Sequence, residues 1–149
     1  CGSYQLFGKY YTTGAGQKIR GISLLDVSTS AGKKRFIGNV TAICDFLPVR
    51  TIVGFENHSG VTYLGEKAKP LFKIKVGNGN NGVDRTEGAR YKNVFGTYLH
   101  GPILPKNPHF CDYLLELALN TKYKCKIPLL PLEDSLEYYA HEPRICAKY

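Results

Sequence analysis

The chain has 149 residues, the size of one ordinary domain, which excludes a multi-domain machine unless a partner supplies the rest. Its 43% hydrophobic content, with 11 Tyr and 7 Phe, is enough for a core and excludes both disorder and a disulfide-stapled mini-protein. The formal charge of +8 is dispersed over Lys33, Lys34 and Arg35, over Lys122, Lys124 and Lys126, and over Lys67, Lys69, Lys73 and Lys75, so it reads as solvated surface rather than a nucleic-acid site.

In chain order, Leu6, Phe7, Tyr10 and Tyr11 share one helical stripe and predict a helix over 4–11, with Cys1 and Gly2 at or just before its N-terminus. A thiol so placed has a lowered pKa. A glycine-rich loop (Gly14, Gly16, Gly21) leads into β-branched and aromatic runs at 22–29, 35–43 and 51–56, each read as a strand. Residues 71–76 set Phe72, Ile74 and Val76 against Lys73 and Lys75, the period of a half-buried strand. The Gly and Asn residues at 77–82 predict a plain turn or exposed loop. Residues 94–99 read as a strand that delivers His100 and is stopped by Gly101-Pro102. Asn107-Pro108 reads as an N-cap and first-turn proline opening a helix over 108–121, with Phe110, Tyr113, Leu114, Leu117 and Ala118 as its apolar stripe. A weaker helix is expected around 132–140. The fold class is α/β, and no metal site or nucleic-acid partner is expected.

Five cysteines at irregular spacings, without a C-x-x-C pair or a signal-peptide pattern, point to a reducing cytoplasm rather than a secreted disulfide framework. Cys44, Cys111, Cys125 and Cys146 read as small core or surface residues, His58 as a structural or pocket-wall residue, and His109 as surface. Cys1 differs, because Cys1-Gly2-Ser3-Tyr4-Gln5 has the second half of a nucleophile elbow. In such an elbow the amide after the nucleophile faces the developing oxyanion, and the helix terminus stabilises the thiolate.

Four segments in order carry a resemblance: C-G-S-Y-Q-L-F-G from Cys1, G-F-E-N-H-S-G from Gly54, N-N-G-V-D-R-T-E-G from Asn80, and Y-K-N-V-F-G-T-Y-L-H-G from Tyr91. Together they resemble class I, triad-type glutamine amidotransferases of the cobyric acid synthase-like branch, and within it the GatD-type subunits of lipid II isoglutaminyl synthases. The resemblance implies the C-terminal part of a flavodoxin-like domain over residues 1–149, cut at the nucleophile itself. It implies Cys1 as nucleophile and His100 as general base. Arg35 is implied as the ligand of the glutamine α-carboxylate, with Gln5, Asn57 and the Gly2 amide as weaker binding candidates. No carboxylate follows His100, as one does in the H-P-E motif, and His141-Glu142-Pro143 has the wrong order to replace it. The implied partner is a MurT-like ligase subunit that lends an acidic residue and carries ATP and Mg, while this chain carries no cofactor. The acceptor would be membrane-bound lipid II, with no membrane insertion of this chain. The alternatives left open are a cobyric acid synthase-type enzyme acting on another carboxylate, an N-terminal-nucleophile amidotransferase, and an inactive fragment or binding module.

Overall fold

Gly8 sets the boundary between the first two elements of the computed structural model, which describes residues 1–142. Helix α1 (Gly2–Phe7) stops because Gly8 is extended, with φ −73° and ψ −177°. The helix expected over 4–11 is therefore shorter, and Tyr10 and Tyr11 fall on strand β1 (Tyr10–Thr12). Aromatic and β-branched residues suit a pleated surface as well as a helix stripe. Strand β1 pairs antiparallel with β2 (Lys18–Arg20) and parallel with residues 28–30.

Strands β3 (Val27–Ile43) and β4 (Thr51–Leu64) form the long antiparallel spine of the main sheet. The runs expected at 22–29 and 35–43 thus belong largely to one strand, while Ser23, with φ 57°, turns the chain before it. Strand β4 runs past its expected end at Glu56, because the register with β3 resumes after an irregularity. Between the pairs Ala31↔Gly60 and Phe36↔His58, β3 sets Gly32, Lys33, Lys34 and Arg35 against Ser59 alone. The surplus residues bulge out, as extra residues in one strand of a pair must.

Strand β5 (Phe72–Val76) pairs with the far end of β3, and β6 (Thr86–Glu87) pairs with β5. A register shift opposite Thr41 turns Val76 outward, so it is 61% exposed instead of sharing the buried side of Phe72 and Ile74. Strands β7 (Ala89–Tyr91) and β8 (Val94–Gly96) form a separate hairpin, and β9 (Leu99–His100) adds antiparallel to β4. The single strand expected over 94–99 is broken at Thr97 and Tyr98, whose polar groups turn to Glu87 instead. Among the described residues the main sheet has seven strands, with order β2-β1-β3-β4-β9 and β5 and β6 off that path.

Helix α2 (Pro108–Tyr123) begins where the Asn-Pro signal places it, and α3 (Ser135–His141) follows near the weaker expected helix. Asn107 does not cap α2 with its side chain; it is fully buried and bonds to the backbone of Val53 on β4. One core cluster joins Val40, Ala42, Ile52, Phe72 and Leu99 to Phe110 of α2. A second lies under α1 and holds Tyr4, Leu25, Val27, Ala89 and Tyr98. Tyr98 and Leu99 enter different clusters, which fixes the chain on both sides just before His100. Ala118, at the end of the expected α2 stripe, is exposed. No helix of the described residues is long and apolar enough to cross a membrane.

The segment 77–82 is a turn whose middle is internal: Asn80 is 0% and Asn81 5% exposed, while Gly77 and Gly82 at its ends are exposed. Asn80 donates to Thr86 Oγ1 and Gly88 O and accepts from Tyr4 Oη, so a loop of polar composition satisfies its hydrogen bonds inside the fold. Gly79 sits at φ 64° where a side chain would meet the Thr86 carbonyl, so only glycine closes this turn.

Candidate active site

Cys1 is the N-cap of α1, and its carbonyl accepts the first helical bond, from Gln5 N at 3.1 Å. His100 ends β9 opposite Phe55 of β4. The two meet: Cys1 Sγ lies 2.9 Å from His100 Nε2 and 3.7 Å from the Asn57 carbonyl. Asn57 belongs to the middle of β4, one residue beyond the strand end expected at Glu56. Its side-chain Oδ1 accepts a 2.7 Å bond from Arg35 Nε, which the bulge of β3 carries alongside. The structure therefore brings Cys1, His100, Asn57 and Arg35 into one contact chain.

Desolvation on its inner side, together with the positive charge of the Cys1 α-amino group, lowers the His100 pKa, which favours the neutral imidazole that can take a proton. Among the described residues no carboxylate hydrogen-bonds to His100. Gly2 follows Cys1 as the first residue of α1, and the space beside its Cα is open.

Behind this pair stands a polar cluster centred on Tyr98. Its hydroxyl bonds to Thr62 Oγ1 at 2.6 Å and accepts from Gln5 Nε2 at 3.2 Å, so the Gln5 amide is engaged in packing. Its ring stacks on His58 with centroids 3.7 Å apart and meets Tyr4 edge-on at 5.0 Å. His58 is buried, donates Nδ1–H to Gly60 O at 2.9 Å, and has its pKa lowered by burial, which suits the structural role expected of it.

Two buried carboxylates escaped the sequence reading. Glu56 accepts from the backbone and side chain of Asn78 and from Gly79 N. Glu87 accepts from Tyr98 N at 2.9 Å and from the Thr97 hydroxyl, and burial pushes its carboxyl up to about 7. Nothing local in T-E-G marks Glu87 as internal, since its partners arrive from ten residues further on.

His109 is not a surface residue. It is 9% exposed, donates Nε2–H to Thr51 O at 3.0 Å, and meets His141 edge-on at 5.1 Å. His141 is itself buried on Lys106 O, at 2.8 Å, while Pro143 and Cys146 lie outside the described residues. Cys44 is buried, Cys111 half-buried and Cys125 exposed, all as free thiols.

Within mixed α/β folds, a cysteine thiol at a helix N-terminus held against a strand-end imidazole is the arrangement of the triad-type glutamine amidotransferases. The chain belongs to the CobB/CobQ-like glutamine amidotransferase domain family, whose model matches residues 1–108. That family has the flavodoxin-like α/β fold expected from the sequence. Over 133 residues the chain is 46% identical to the GatD subunit of lipid II isoglutaminyl synthase (glutamine-hydrolyzing) from Staphylococcus aureus strain N315. Over 137 residues it is 42% identical to the subunit of that name from Streptococcus pneumoniae strain ATCC BAA-255 / R6. These alignments cover 89% and 91% of this chain and 52% of each relative, so the chain spans about half the length of the GatD subunits it matches. A cobyric acid synthase from Clostridium botulinum strain ATCC 19397 / Type A is 38% identical over 109 residues, 68% of this chain and 22% of the synthase.

Proposed function

We propose that the chain carries the glutaminase site of a lipid II isoglutaminyl synthase. His100 takes the Cys1 proton, and the thiolate attacks the side-chain amide carbon of glutamine. The Gly2 amide faces the oxyanion, and the imidazolium returns its proton to the departing ammonia. Water, deprotonated by His100, then cleaves the γ-glutamyl thioester, so that glutamine and water give glutamate and ammonia. Arg35 holds the α-carboxylate with its guanidinium fork, while Asn57 braces Arg35 and borders the thiol.

Ammonia passes to an ATP- and Mg-dependent MurT-like ligase subunit in the cytoplasm, which amidates the α-carboxyl of D-glutamate in lipid II. That partner supplies the carboxylate His100 lacks locally. The observation that carries the reading is the 2.9 Å contact between Cys1 Sγ and His100 Nε2 within a chain of this family. The lipid II acceptor is favoured over another carboxylate because the similarity to GatD subunits spans 89–91% of the chain, against 68% for the cobyric acid synthase.

The test is a glutaminase assay of the full-length protein with its ligase partner. Cys1→Ala is expected to abolish ammonia release, and His100→Ala to lower it by roughly 100- to 10,000-fold. Undiminished activity in either variant sinks the assignment.

A further inference from the structure

We propose that Glu87 is the positioning residue of the Cys1–His100 pair, acting through Thr97 and Tyr98 without touching substrate. The inference rests on the reading of Cys1 and His100 as nucleophile and base.

Strand β8 ends at Gly96 and β9 begins at Leu99, so the two residues between them need partners outside the sheet. Glu87 supplies them. Its side chain is 0% exposed, and Oε1 accepts both the Tyr98 N–H, at 2.9 Å, and the Thr97 hydroxyl. Thr97 Oγ1 in turn accepts the Leu99 N–H at 3.0 Å. One carboxyl oxygen thereby fixes three consecutive residues, and the next is His100.

The same carboxyl also reaches the nucleophile. Tyr98, anchored at its backbone by Glu87, holds Gln5 by its hydroxyl and Tyr4 by its ring, and both belong to α1, which Cys1 caps. Displacing Tyr98 would move the helix that carries the thiol and the strand that carries the imidazole in the same event. A buried carboxyl is costly to a fold, and among the described residues none lies within hydrogen-bond geometry of the Glu87 Oε2. The cost is offset by the placement of Thr97, Tyr98 and Leu99, which no apolar residue could bond.

The test uses the full-length protein with its ligase partner and reads two quantities: glutaminase kinetics, and the pH midpoint of Cys1 alkylation by iodoacetamide, followed on the Cys1 peptide. Glu87→Ala is expected to move the alkylation midpoint up towards the free-thiol value of about 8.5, because the imidazole no longer meets the thiol. It should also lower kcat roughly 100-fold while the KM for glutamine stays within about threefold, the mark of a misplaced catalytic group. Glu87→Gln keeps the Oε1 acceptor and is expected to restore the midpoint and most of kcat. A folded Glu87→Ala protein with the wild-type midpoint overturns the proposal. Should Glu87→Ala not fold, Thr97→Val decides: it breaks the link to Leu99 and should raise the midpoint, and an unchanged midpoint overturns the proposal. A wild-type complex without glutaminase activity would defeat the proposed function, whereas the alkylation midpoint reports on Glu87 either way.

Discussion

Asn107 and Val53 exchange two hydrogen bonds of 2.8 Å, Val53 N–H to Oδ1 and Nδ2–H to Val53 O. Val53 pairs with Thr41 of β3 on its other side, so the Asn107 amide takes the position of a neighbouring strand just beside the β4–β9 pairing that holds His100. Nδ2 also donates to Ile103 O at 2.6 Å, tying the turn before α2 to the same point. Asn107→Ala orphans two buried groups of Val53 at about 1–3 kcal/mol each, so unfolding free energy should fall by roughly 2–5 kcal/mol. Chemical denaturation of the full-length protein checks this, and a loss below about 0.5 kcal/mol, the size of an ordinary surface change, contradicts it.

Arg35 provides a separate test of the glutamine pocket. A lysine keeps the charge but has neither the Nε donor that Asn57 Oδ1 accepts nor the planar fork that suits a carboxylate. Charge-assisted bonds are worth about 1.5–3 kcal/mol, so Arg35→Lys should raise the KM for glutamine roughly 10- to 100-fold. Stability should be unchanged, because Arg35 is exposed. Steady-state kinetics alongside a melting curve separate the two effects, and an unaltered KM removes Arg35 from the pocket.

What could be read in the sequence was set by how local its cause is. Helix α2 follows from Asn107-Pro108 and the spacing of Phe110, Tyr113 and Leu114, and it runs from Pro108 as expected. Cys1 and His100 could be paired from their motifs, although 99 residues separate them. The burial of Gly79, Asn80 and Asn81 was not legible, because glycine and asparagine signal a turn whether or not Glu56 and Tyr4 come to meet it. His109 looked like surface because its partners, Thr51 and His141, are remote in sequence. Tyr10 and Tyr11 fit either period, and Gly8 was the residue that decided between them.

Gly60 is a point of close approach behind the site. A methyl group there would collide with Gln5 Nε2 and lie 2.9 Å from Tyr98 Oη. Gly60→Ala should therefore cost about 1–3 kcal/mol by overpacking and lower kcat as Tyr98 and Gln5 shift. Gly14→Ala, which meets no atom within 4 Å, serves as the control and should stay within about 0.5 kcal/mol of wild type. Thermal unfolding of both variants with a kcat for each is the measurement. Equal behaviour of the two would show that the contact is not tight.

Glu87 should leave a signature in the pH dependence of stability. Burial raises its carboxyl from an ordinary 4.5 to about 7 in the folded chain. Between these values the folded state keeps a proton that the unfolded state releases, so stability is full below pH 4.5 and is lost as pH rises through 7. A difference of this size corresponds to roughly 3 kcal/mol. His58 and His109, whose pKa values burial lowers, act with the opposite sign: they must charge on unfolding as pH falls, so their contribution is lost towards acid. The quantity to follow is therefore the difference between wild type and Glu87→Gln, in which the shared histidine contributions cancel. Gln cannot ionise, so the difference should shift in favour of the variant by roughly 3 kcal/mol between pH 4 and pH 8, most steeply between 4.5 and 7. Urea titrations at intervals across that range measure it. A difference that stays constant with pH would mean that Glu87 titrates alike in the folded and unfolded chain.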